Sequence, residues 1–160
     1  MKAVEKIETY ISSHAHVDNP EVWEFVLIPR LTEMINNLNQ IETNDFSNTV
    51  LNWKDEFQYL IALTIYECDN KYLDSTSLYI KIFSKISDIE CLEILIENDI
   101  PFIRPPYDTV TKIEDWSIEE IENLRQNILK TMTVKSNSWN NTLNEVIEYI
   151  DNLKVKKASS

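Results

Sequence analysis

The chain has 160 residues, 43% of them hydrophobic, which is enough to build a core and argues against wholesale disorder. It contains no glycine, where ordinary usage supplies about eleven, and so lacks the residue on which phosphate-cradling loops, dinucleotide fingerprints and nucleophile elbows depend. The net charge of −12 repels nucleic-acid backbones and anionic lipid and attracts basic partners.

Residues 2–13 are predicted as a first helix, with Val4, Ile7 and Ile11 at helical spacing. Glu5 and Glu8 interrupt its apolar residues, so it is not read as a signal peptide. Asn19-Pro20-Glu21 then opens a helix over about 20–39. Val22, Trp23, Phe25, Val26, Leu27 and Ile28 make that helix apolar nearly all round, which predicts burial on more than one side, with Pro29 kinking or splitting it. Asp45 or Ser47 is the expected cap of a third helix over about 48–67, whose YLIALTIY run (59–66) also suits a buried strand. Residues 75–86 fit a helix but alternate with period two. Residues 88–99 place Ile89, Leu92, Leu95 and Ile96 inward. Ser117-Ile118-Glu119-Glu120 is a capping box opening a helix to about 131, and a last helix runs over about 138–154.

The segment between, about 99–116, holds three prolines together with Phe102, Ile103, Tyr107 and Trp116. It is expected as an ordered loop lying across the helices, since long irregular segments in a domain tend to carry function. The whole reads as an all-α fold of six or seven irregularly packed helices, with solenoid-like helical hairpins as one option. The expected organisation is one domain over residues 1–154, followed by a short flexible tail over 155–160.

Catalytic signatures are missing. His14-Ala15-His16-Val17-Asp18 resembles the opening of the metallo-β-lactamase metal motif, but Asn19 stands where its last histidine belongs, and the chain has only two histidines. No metal, cofactor or enzymatic activity is expected. Cys68 and Cys91, inside apolar segments, are expected as buried free thiols of a cytoplasmic protein. Nucleic acid and membrane are not expected partners.

The acids carry more information. Glu90, Glu93 and Glu97 share one helical face, at i, i+3 and i+7. Glu119, Glu120 and Glu122 crowd the start of the next long helix, just after Glu114 and Asp115. Over residues 86–122 eleven acids, Asp99 and Asp108 among them, face only Arg104 and Lys112, a net charge of −9. One explanation is a solvated face with acids favoured at helix N-termini. The other is a docking surface for a basic protein, with Tyr107 and Trp116 as aromatic anchors; those rings equally suit pinning the loop to the core.

A small, acidic, glycine-free helical chain of this kind resembles the bacterial immunity proteins that neutralise contact-dependent or other polymorphic toxins. The resemblance is carried by the stripe Glu90/Glu93/Glu97 and the cluster from Glu114 to Glu122. It implies a basic toxin domain as partner, often a nuclease, covered by the acidic face. A nucleic-acid-mimicking or phage-type inhibitor is the alternative. So is a helical scaffold that binds a peptide in a channel lined by Trp53, Tyr59 and Tyr66.

Overall fold

Side chains close the starts of several helices. Asn19 accepts from the Glu21 amide at 2.9 Å and opens α2 (Pro20–Val22). Asn39 and Glu42 exchange bonds with each other's backbone amides at 2.9 and 3.0 Å, a capping box that starts α4 (Gln40–Thr49). Asp88 caps α7 (Ile89–Leu95), and Ser117 with Glu120 caps α8 (Ile118–Val134) at 3.1 Å in both directions.

The computed structural model describes residues 1–105, 107, 113–134 and 139–159. Every regular element among them is helical. They group into two compact units, Met1–Ser75 and Thr76–Ser160.

In the first unit α1 (Ala3–His14) packs on α4 and on α3 (Ile28–Asn36), and α3 packs on α5 (Asp55–Thr64). The stripes predicted from spacing enter the core, where Val4, Ile7 and Ile11 are buried together with Leu31, Ile35, Phe46, Val50, Ile61 and Ile65. Each large side chain buried this way contributes roughly 1.5–3 kcal/mol. Asn70 closes the C-terminal end of α3, its amide donating to the carbonyls of Ile35 (2.9 Å) and Leu38 (3.2 Å).

The second unit holds most of α6 (Ser75–Lys85), then α7, α8 and α9 (Asn140–Ala158). Helix α8 packs on α7 and α9, and the short 3₁₀ turn Ile100–Phe102 packs on α9. Leu78, Ile82, Phe83, Leu92, Leu95, Ile121, Leu124, Ile128, Leu143, Val146 and Ile150 form its core.

Several expectations are corrected. The apolar stretch 20–39 is not buried on several sides: Leu27, Leu31, Ile35 and Leu38 are buried, while Phe25 is 71% and Val26 57% exposed. Pro29 does not end the helical stretch. Proline offers no amide to the carbonyl four residues back, and the helix widens instead into a π turn over Trp23–Leu27, in which the Ile28 amide reaches the Trp23 carbonyl. This helix stops at Asn36 because Asn39 starts the next. The helix expected over 48–67 is two helices, α4 and α5, separated where Trp53 and Lys54 take extended backbone; Asp45 and Ser47 therefore lie inside α4 and cap nothing. The helical reading of 59–66 and 75–86 holds against the strand alternative. Helix α9 runs on to Ala158, through most of the stretch expected as a tail.

Candidate protein-binding surface

Helix α7 carries Glu90 and Glu93; it ends at Leu95, short of the 88–99 span expected, so Glu97 lies in the turn that follows. The Asp88 carboxylate accepts from the amides of Glu90 (2.9 Å) and Cys91 (3.2 Å). At the other end Tyr79, fully buried, donates its hydroxyl to the Leu95 carbonyl at 2.6 Å. With both ends fixed and Leu92, Leu95 and Ile96 buried, the outer face is set. Glu90 and Glu97 are exposed and Glu93 is half-buried. Between them Ile94 stands 53% exposed, four residues after Glu90 and three before Glu97. The result is an aliphatic side chain bounded by carboxylates. Among the described residues neither Glu90 nor Glu93 makes an ion pair.

The stripe ends in a sharp turn. Asp99 has φ 56°, and the Ile100 amide bonds back to the Asn98 carbonyl across it. This γ-turn is a strained backbone position, normally left to glycine. Beyond it Ile100, Pro101 and Ile103 are buried. The segment is thus tied to the core at this end, as it is at the other by Ile113 and Trp116.

Tyr107 is exposed but not idle. Phe102 meets it edge to face at 5.2 Å and also meets Trp139, at 6.2 Å. The Arg104 guanidinium lies 5.1 Å over the Tyr107 ring and pairs with Glu145 at 2.7 Å. Asp108 lies outside the described residues. Trp116 is corrected: it is only 6% exposed, under the Lys81 ammonium at 5.7 Å, and so pins the segment rather than offering an anchor to a partner.

The second acidic group divides. Glu114, Asp115 and Glu119 are exposed, although Glu114 also accepts from the Tyr149 hydroxyl at 3.1 Å and its carbonyl from Lys157. Burial, with the Glu114 bond second, pushes the Tyr149 phenol up to about 12. Glu120 is half-buried and serves the capping box. Glu122 is taken by Lys154 and Gln126, whose bonds hold its carboxyl below the usual range. Lys154 and Lys157, read from sequence as charge at a helix end, thus have named partners. Glu90 and Glu93 flank the exposed Ile94, Glu97 follows it, and Asp115 and Glu119 are exposed as well.

A second feature, in the first unit, was not found from sequence. Trp53 is buried at 8% exposure, while Tyr66 is 45% exposed. A cleft of about 600 Å³ forms instead along the π turn and α5. Its signal was present as surplus apolar residues over 22–28, but spacing alone assigned them to the core. His14 is engaged within its own helix, Nδ1 donating to the Tyr10 carbonyl at 2.8 Å. Among the described residues no helix is long and apolar enough to cross a membrane.

No family model matches the chain, and no curated protein or solved structure shows significant similarity to it.

Proposed function

We propose that this chain is a non-catalytic binding protein that covers and neutralises a basic protein partner, in the manner of an immunity protein facing its toxin. The observation that supports this reading is the outer face of α7, where Ile94 is exposed between Glu90, Glu93 and Glu97. Like charges at this spacing repel by a few tenths of a kcal/mol per pair, and no ion pair to Glu90 or Glu93 among the described residues offsets that cost. A basic partner would relieve it. Charge of one sign speeds encounter, and a desolvated aliphatic centre holds the complex. Asp115 and Glu119 extend the attraction; Glu120 and Glu122 serve the fold and contribute to the field only.

The test is capture of partners at low salt by the wild-type chain and by the triple variant Glu90→Lys, Glu93→Lys, Glu97→Lys. The expected result is one basic protein, released as salt rises, whose association with the variant is slower by about tenfold and nearly independent of salt. Equal association rates for both forms would remove the α7 face from the reading.

A further inference from the structure

The cleft of the first unit has the makings of a separate site. The π turn buries Leu27 and turns Phe25 and Val26 outward, while Leu63 near the end of α5 is 37% exposed. Phe25, Pro29 and Leu63 line the cleft, whose volume of about 600 Å³ falls within the range of roughly 300–1,000 Å³ usual for ligand sites.

Thr32 adds a polar point to the lining. A helical threonine ordinarily donates its hydroxyl to the carbonyl four residues back. Thr43, Thr64 and Thr131 all do so, at 2.7–2.9 Å. The Thr32 Oγ1 is buried and has no partner among the described residues. A buried hydroxyl left unmatched forfeits the hydrogen bonds it made to water, a loss that a bound group supplying a hydrogen bond would remove. Glu24 and Glu67 stand on the rim, and neither makes an ion pair among the described residues.

We infer that this cleft receives a basic amphipathic segment of a partner protein. Its apolar side chains lie on Phe25, Pro29 and Leu63, and its lysines or arginines meet Glu24 and Glu67. Charge selects this occupant. The unit carries thirteen acids against five bases, so a second copy of the chain is repelled, and an anionic lipid or fatty acid would set its head group against two carboxylates. A cation-bearing segment gains from both. The inference is independent of the α7 surface.

The probe is a blocked 14-residue peptide of leucine and lysine, with leucines at helical i, i+3, i+4 and i+7 spacing. Its control is an isomer of equal composition in scrambled order. In a ¹⁵N–¹H NMR titration the amphipathic peptide is expected to shift the amides of Phe25, Thr32 and Leu63 and to bind about tenfold more tightly than the scrambled one. Phe25→Ala, whose side chain is outside the core, is expected to weaken it by about fivefold or more. The pair Glu24→Gln, Glu67→Gln is expected to flatten its salt dependence, and Glu90→Lys with Glu93→Lys to leave the shifted amides the same.

Equal affinity for both peptides, or no effect of Phe25→Ala, would reduce the binding to general attraction between opposite charges and overturn the proposal. So would a dimer in sedimentation equilibrium that Phe25→Ala dissolves, since a second copy would then be the occupant. Shifts of the same amides by octylamine, with none from the peptide, would make the cleft a small-molecule site instead.

Discussion

Asn127, midway along α8, donates its side-chain amide to the Phe83 carbonyl at 2.7 Å, closing the end of α6 from 44 residues away. The same nitrogen reaches the Ile86 carbonyl at 3.0 Å. In the first unit Asn70 treats the carbonyls of Ile35 and Leu38 the same way. Helices commonly end on a left-handed glycine that lets the chain satisfy its own last carbonyls. Lacking glycine, this chain uses asparagines brought in by the tertiary fold.

Removing that device has a large expected cost. Asn127 is 5% exposed, so Asn127→Ala leaves two buried carbonyls without a donor. The loss is expected at about 2–3 kcal/mol, read as a lower midpoint in urea unfolding followed by circular dichroism. A change below about 0.5 kcal/mol would show that water replaces the amide there.

Asp99 is the described residue with positive φ. Asp99→Gly and Asp99→Ala both delete the carboxylate, so their difference reads the backbone alone. The glycine variant is expected to be the more stable by about 1–2 kcal/mol. Equal midpoints would mean that the turn relaxes when the side chain is removed.

Glu122 gives the acid limb of stability a named contributor. Lys154 and then Gln126 donate to its carboxylate and hold it below its ordinary value of 4.5. A group whose folded value is depressed stabilises the fold above its unfolded value, and that stability disappears as pH falls through the folded value. Glu122→Gln is therefore expected to be less stable than wild type by a constant amount at pH above about 5, with the gap closing in more acidic solution. Partial exposure of the pair keeps the gap modest. A gap that persisted unchanged into acid would assign the stabilisation to contacts other than charge.

Cys68 is predicted to be inert. Burial, with the charge of Glu67 second, pushes its thiol up to about 12, and the reactive species is the thiolate. In a Cys91→Ser background, alkylation of Cys68 at about pH 8 is expected to be slower than that of free cysteine by about two orders of magnitude. Reaction at the rate of an exposed thiol would show that the end of α5 opens readily.

Local chemistry carried most of the fold. Helical spacing and caps written in adjacent residues, as at Asn19-Pro20-Glu21 and Ser117–Glu120, act within one turn and are legible without neighbours. The Asn39–Glu42 box is equally local and was missed because the apolar run before it suggested one longer helix. Glu90 and Glu93 on α7 were legible for the same reason as the caps, since residues at i and i+3 share a face wherever the helix lies, but Glu97 falls in the turn beyond the helix.

Burial and pairing were decided elsewhere. Whether Trp116 faced out or in depended on Lys81 and on the core that its segment crosses. The engagement of Glu122 depended on Lys154 in another helix, 32 residues away. An apolar run says that a surface must be covered, but not which of its sides is covered. Phe25 and Leu27 are two residues apart and chemically alike, and only the packing of α3 against α1 and α5 put one in the core and left the other at the mouth of a cleft. Sequence by itself determined helix content, charge and the acidic face; the tertiary structure alone decided which apolar and acidic groups were spent inside, because both choices rest on partners far away in the chain.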